Sequence, residues 1–173
     1  MTLQIDSREH KSELARICKQ LDRLGVKYFI SKLPCGDYMD LDNARLVVDR
    51  KKDLQEICGN VCQEHERFRA EMIRAQEHGI HIIFLCEHGE EIKDLEDVIF
   101  WENPRRVQRV KKDGKWQTIE TKAMNGDTLY KILKTMERKY NVEFYFCTKE
   151  ETGGRIVELL QDKRRNQTGN TDA

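Results

Sequence analysis

Residues 36–51 read Gly36-Asp37-Tyr38-Met39-Asp40-Leu41-Asp42-Asn43-Ala44-Arg45-Leu46-Val47-Val48-Asp49-Arg50-Lys51. From Arg45 to Lys51 the run is apolar and β-branched at its centre and polar at its ends, which predicts a strand. A shorter strand is predicted over about Asp37 to Leu41, joined to it by the turn-like Asp40-Leu41-Asp42-Asn43. Side chains alternate along a strand, so Asp49 and Lys51 share one face and Arg50 takes the other. A hairpin then brings Asp37 near Asp49. Two convergent carboxylates suit Mg²⁺ or Mn²⁺, hard cations that prefer oxygen ligands. Such a metal polarises a phosphate and acidifies water, and a nearby Lys orients that water or stabilises developing charge. The bare Asp-x-Lys triplet is weak in a chain that is 36% charged, where a solvated hairpin with surface charges is the competing explanation.

The surroundings sharpen the pattern. Leu3-Gln4-Ile5 predicts a first strand running into Asp6-Ser7-Arg8-Glu9. Leu14, Ile17, Cys18, Leu21 and Leu24 recur at helical spacing, and Gly25 stands where a C-terminal cap belongs. Val26 to Ile30 predicts the next strand. Asp53 to Cys62 is followed by a long helix opening at His65 and ending near Gly79. Ile80 to Cys86 is apolar enough to be a central strand buried on both faces. A helix over about 127–140, a strand over Val142 to Cys147 and a last helix with Ile156, Val157, Leu159 and Leu160 complete the series. Alternating helices and strands argue an α/β fold.

Asp37, Asp49 and Lys51 resemble the signature of metal-dependent nucleases with the PD-(D/E)xK core. The ordered series Asp6-Ser7-Arg8-Glu9, Gly36-Asp37-Tyr38, Asp49-Arg50-Lys51, Arg67-Phe68 and Ile80 to Cys86 resembles the nuclease domain of the XPF/Hef family of structure-specific endonucleases. The resemblance covers nearly all of residues 3 to 163. It implies a restriction-endonuclease-like core, a central mixed β-sheet flanked by helices, with an inserted basic hairpin over about 101–125. It implies Mg²⁺ or Mn²⁺ as cofactor, held by Asp37 and Asp49 with help from Asp6 or Glu9 and from the Arg50 backbone carbonyl. Lys51 would handle the attacking water or the charge on the phosphate, and Arg67 would position the phosphate, with Arg8 as a further DNA contact. Glu71, one turn along from Arg67, would hold Arg67 or water. The implied substrate is branched DNA (a flap, fork or junction) in repair, recombination or phage replication. The implied assembly is a homodimer, or a complex with a partner protein that adds DNA-binding surface. The alternative is a catalytically inactive DNA-binding or dimerisation module of the same fold.

The chain departs from the family pattern in places. Asp49 stands where the family usually has Glu. The position four beyond Lys51 is Gln55, flanked by Asp53 and Glu56, which leaves the substituting acid open. Nothing after Leu160 is expected to build the tandem helix-hairpin-helix domain of many relatives, so the likeness is to the compact version found in bacteria and phages. A single domain over 1–163 is expected, with a disordered polar tail over 164–173.

Net charge is zero, 31 basic residues against 31 acidic, which gives no general attraction to DNA. The charge is uneven, however. Residues 105–115 hold Arg105, Arg106, Arg109, Lys111, Lys112 and Lys115 with one acid, Asp113. Asp113-Gly114 is a hairpin turn signal. The ribbon around it is expected either to meet nucleic acid, with bases stacking on Trp116 or Trp101, or to be a solvated surface loop.

Other residues have plain structural explanations. Asp6 or Ser7 could cap the first helix, with Glu9 near its positive end. Arg50, turned away from the metal, is expected in a structural ion pair, and Tyr38 in packing. Six cysteines (Cys18, Cys35, Cys58, Cys62, Cys86 and Cys147) accompany no secretory signal, so reduced thiols in a cytoplasm are expected. Cys58, Cys62 and His65 have a zinc reading, weaker than helix packing. No run is long enough to span a membrane. No G-x-G-x-x-G or P-loop stands between a strand and a helix, against a nucleotide-binding fold.

Overall fold

The structure, a computed structural model, describes residues 1–168. Its elements run β1 (Thr2–Ile5), α1 (Lys11–Arg23), β2 (Lys27–Ile30), β3 (Tyr38–Asp40), β4 (Asn43–Lys51), α2 (Leu54–Cys62), α3 (His65–Glu77) and β5 (His81–Glu87). Two short 3₁₀ turns at Glu96–Phe100 and Pro104–Arg106 lead into β6 (Val107–Lys112) and β7 (Lys115–Glu120). Then follow α4 (Gly126–Tyr140), β8 (Glu143–Cys147) and α5 (Thr152–Thr168). The expected order of elements is thus found. Helix α5 runs on to Thr168, through the first half of the polar stretch expected to be a tail; residues 169–173 lie outside the described residues.

Six strands form one mixed sheet in the order β2-β1-β3-β4-β5-β8. The β1-β3-β4 portion is antiparallel, while β2 pairs with β1, and β4, β5 and β8 with one another, in parallel. Strand β5 lies between two parallel neighbours and is buried from Ile82 to Glu87, as its unbroken apolar run requires.

Strand alternation divides the core. Leu46, Val48, Ile83 and Leu85 face α1 and α5, where Ile17, Leu21, Ile156 and Leu160 close one apolar layer. Val47, Ile82, Phe84 and Cys86 face the opposite way, toward Leu54, Ile57, Phe68, Met72 and Leu133. Phe84 stacks on Phe144 and packs at a tilt on Phe68, each at 5.1 Å between ring centroids.

Gly36 sets the entry to β3. Its φ of +64° lies in the left-handed region, and an added Cβ would sit 3.0 Å from Val47 Cβ and Cγ2. Only glycine combines that φ with that approach without strain. The expected cost of Gly36→Ala is therefore about 1–3 kcal/mol, read as a lower urea midpoint at unchanged m-value. An unchanged midpoint would show that the turn relaxes freely.

Candidate active site

The β3–β4 hairpin places the two carboxylates as the sequence predicts. Tyr38 pairs with Val48, and the Asp37 backbone N–H donates to the Val48 carbonyl at 2.9 Å. Asp37 therefore stands across from the Asp49 end of β4. Its Oδ2 accepts the Arg50 backbone N–H at 2.8 Å. Asp49 and Lys51 point to the same side, and Lys51 Nζ lies 2.6 Å from Asp49 Oδ1. Both are almost fully buried, with the ammonium 5.5 and 5.6 Å from the ring centroids of Phe68 and Phe84.

The electrostatics follow from that burial. Desolvation pushes the Asp37 carboxyl well above its ordinary value, and the Asp49 charge pushes it further; Lys51 and the Arg50 N–H only partly offset this. Burial opposes charge on Lys51, yet the Asp49 and Asp37 carboxylates outweigh it and raise its pKa. Lys51 is thus a fixed cation. Keeping both carboxylates ionised in this buried site is unfavourable with one amine beside Asp49, and a divalent cation would relieve it. Among the described residues no group of three or more His, Cys, Asp or Glu forms a metal cluster. Two carboxylates nevertheless fit Mg²⁺, which commonly keeps several waters and takes one or two protein carboxylates plus substrate phosphate.

Behind β4 the opposite face carries a buried ion network. Arg50 Nη2 donates to Glu9 Oε1 at 2.7 Å, and Arg50 Nη1 to Glu87 Oε2 at 3.1 Å. Glu87 also accepts from Arg16 and, at 2.6 Å, from the Thr152 hydroxyl. Arg16 reaches Glu13 at 2.7 Å. Arg50 is therefore the structural ion-pair residue that alternation implied. Glu9 lines the cleft, but its Oε1 binds Arg50 and its Oε2 accepts from both Arg50 and the Tyr38 hydroxyl. Its geometry makes it a brace for Arg50 and Tyr38.

Asp6 has a different place from the one expected. It accepts the Arg8 backbone N–H, Arg8 Nε and Nη2, and the Leu33 N–H at 2.6–2.9 Å, and it is 1% exposed. Both its oxygens are occupied in tying the Leu33 loop to Arg8, so it does not join Asp37 and Asp49. Nor does Asp6 or Ser7 cap the first helix: α1 starts at Lys11, and its cap residue His10 makes no side-chain cap bond, while Glu9 lies just before that end.

A cleft of about 860 Å³ opens over Asp37, Asp49 and Lys51, and Arg8, Arg67, Glu71 and Arg74 are among the residues that line it. Arg67 is exposed and, among the described residues, pairs with Glu64 at 2.9 Å. Such an exposed pair is worth about 0–1 kcal/mol, so the guanidinium is free to change partner. The two acids flanking Gln55 separate cleanly. Asp53 caps α2 by accepting the Glu56 N–H at 2.8 Å, whereas Glu56 lines the cleft.

Three expectations do not gather at this site. Trp101 is buried in the core against His88, so it offers no surface for stacking. Cys58 and Cys62 approach to 3.9 Å, but Cys58 is buried beside Asn103, its thiol pushed up to about 11 by burial and by Cys62, and His65 completes no cluster. The zinc reading gives way to helix packing. The basic residues of 107–120 form the β6–β7 ribbon, and none of them lines the cleft. Sequence reasoning missed Glu87, Glu13, Arg16 and Arg74. Glu87 carried a readable signal, since it ends an apolar strand at the same parity as Ile83 and Leu85, on the Arg50 side.

The class defined by this fold is a mixed-sheet α/β domain with paired carboxylates and a lysine at the end of an antiparallel hairpin. The chain belongs to the ERCC4 domain family, whose model matches residues 5–160. Its structure is similar to that of XPF from Aeropyrum pernix, at TM-score 0.62 and 20% identity, covering 94% of this chain and 61% of that one. XPF from the same organism in complex with DNA is similar at TM-score 0.62 and 19% identity, covering 95% of this chain and 66% of that one. The chain thus spans under two thirds of the length of these structures. No curated protein matches it significantly. No helix among the described residues is long and apolar enough to cross a membrane.

Truncating Arg50 takes the guanidinium from buried Glu9 and Glu87, leaving Glu9 the Tyr38 hydroxyl and Glu87 the Arg16 and Thr152 contacts, so Arg50→Ala is expected to cost about 3 kcal/mol in urea unfolding. Acid should weaken the Asp6 anchor as well. Burial raises the Asp6 carboxyl, but the Arg8 and Leu33 hydrogen bonds outweigh it and hold the pKa below the usual range. A lowered folded pKa contributes stability that is present above the unfolded value near 4 and lost as pH falls through the folded one. Wild-type stability should therefore fall more steeply than that of Asp6→Asn below about pH 4; parallel pH profiles would refute this.

Proposed function

We propose that the chain is a metal-dependent endodeoxyribonuclease acting on branched DNA such as a flap, fork or junction. The observation that carries this reading is the meeting of Asp37, Asp49 and Lys51 in one buried cluster under an arginine-rimmed cleft. Membership of the ERCC4 domain family and the likeness to an XPF structure complexed with DNA support it.

Asp37 and Asp49 would hold the metal. When bound, Mg²⁺ or Mn²⁺ supplies Lewis acidity at the phosphate and acidifies water. Lys51, kept protonated by its carboxylate neighbours, serves as a cation that steadies charge on the phosphate rather than as a base. Arg67, released from Glu64, and Arg8, fixed by Asp6, meet the DNA backbone at the rim. Glu9 acts indirectly, by bracing Arg50, whose N–H orients Asp37. A second copy or a partner protein would supply DNA-binding surface beyond this chain, in repair, recombination or phage replication.

Cleavage of labelled single-strand, duplex, flap, fork and junction DNA tests the proposal. Cutting is expected with Mn²⁺ or Mg²⁺, none with EDTA, and at least about 100-fold less with Lys51→Ala. DNA binding without cutting by the wild type would make the chain the inactive module of the same fold.

A further inference from the structure

The β6–β7 ribbon is unlike the rest of the molecule. It forms its own two-stranded sheet, and eleven of its twelve strand residues are exposed, Val110 alone being half-buried. An isolated two-stranded hairpin is marginal in water, so this one needs a strong turn and a firm root. It has both. Asp113 (φ 50°) and Gly114 (φ 76°) form a two-residue turn with both φ angles positive, matched to the twist of the strands. At the root, buried Asn103 accepts the Arg105 N–H at 3.0 Å and donates to the Met124 carbonyl at 2.8 Å. The Thr121 N–H and hydroxyl close on the Arg106 and Arg105 carbonyls at 2.7 and 2.6 Å. The structure thus projects an exposed ribbon into solvent from a hydrogen-bonded base.

The register sorts its side chains. Lys111 pairs with Trp116 and Arg109 with Thr118, so these four lie on one face. Trp116 is 63% exposed, and the Arg109 guanidinium lies 5.9 Å from its ring centroid. The reverse face carries Val110, Ile119, Gln108 and Gln117, with Lys112 and Lys115 at the tip. Residues 105–120 hold six basic side chains against two acidic ones, Asp113 and Glu120, in a chain of zero net charge. The exposed ring thus has Arg109 and Lys111 as its neighbours on one face, which ends at Val107 and Glu120 away from the tip, while Lys112 and Lys115 add positive charge at the tip on the other.

The geometry points to this face as a binding arm for an unpaired DNA strand, with Trp116 stacking a base while Arg109 and Lys111 hold its phosphates. Phosphates account for the cations but not for a large exposed ring. Duplex DNA keeps its base faces covered, whereas a single strand offers them to aromatic platforms flanked by positive charge. The arm deepens the nuclease reading and rests on it for one step only, the naming of a single-stranded portion of the substrate. The binding itself needs no metal and no cleavage.

Fluorescence anisotropy of a labelled oligo(dT) with the full chain in EDTA tests the arm. Trp116→Ala is expected to weaken binding about ten-fold. Arg109→Gln with Lys111→Gln should weaken it too, and lower the slope of log affinity against log salt by about 1.4. Ile119→Thr, on the reverse face, should leave affinity unchanged. The arm is refuted if Trp116→Ala binds like the wild type, if Ile119→Thr costs as much, or if Trp116→Ala weakens a duplex of equal length just as far. If Lys51→Ala abolishes cleavage while Trp116→Ala leaves oligonucleotide binding intact, the arm is wrong and the nuclease reading stands.

Discussion

Three consecutive charged side chains at the buried end of β4 govern the rest of this molecule. Burying a charge is costly unless it is paired and hydrogen-bonded, and here Asp49, Arg50 and Lys51 are buried together. Strand alternation resolves the conflict by sending them to opposite faces. Asp49 and Lys51 neutralise one another on the side of α2 and α3, and Arg50 finds Glu9 and Glu87 on the side of α1 and α5. The first pairing gives Lys51 to Asp49 and leaves the Asp37 carboxyl without an ion pair of its own, its pKa raised by burial and by the Asp49 charge, which is the chemically poised feature. The second ties the β1–α1 loop, β4, β5 and the start of α5 together around one guanidinium, through Glu9, Glu87 and Thr152. Chemistry and scaffold are two sides of a single strand.

This arrangement also explains how Asp37 is held in place by the backbone. Among the described residues its carboxylate accepts a backbone N–H, donated by the residue whose side chain anchors the other face. A shift of Arg50 would therefore move Asp37, although the two side chains lie on opposite sides of the sheet. Gly36 adds the second constraint, since its left-handed turn lets the chain pass close over Val47 and deliver Asp37 opposite Asp49.

Much of this was legible in the sequence because period-2 and period-3.6 patterns are local. The hairpin, the facing of Asp49 and Lys51, the turn of Arg50 to the opposite face, the central position of Ile82 to Cys86 and the β6–β7 ribbon all follow from spacing. What escaped is long-range. Asp6 looked like a ligand or a cap because it ends a strand beside an acidic helix start, and only the fold shows Leu33 and Arg8 occupying it. Trp101 looked available beside a basic stretch, yet it is packed into the core. Glu13, Arg16 and Glu87 lie far apart in sequence, and nothing local marks them as one network. Cys58 and Cys62 meet simply because a helix turn brings residues four apart together.

The central claim is that Asp37 and Asp49 form a cation site, and calorimetric titration of Mn²⁺ into the wild type and Asp37→Asn addresses it directly. The substitution keeps the side-chain shape and an oxygen for the Arg50 N–H while removing one carboxylate charge. The account predicts a saturable site in the wild type that Asp37→Asn loses or weakens sharply. No saturable binding, or equal binding by both proteins, would contradict it.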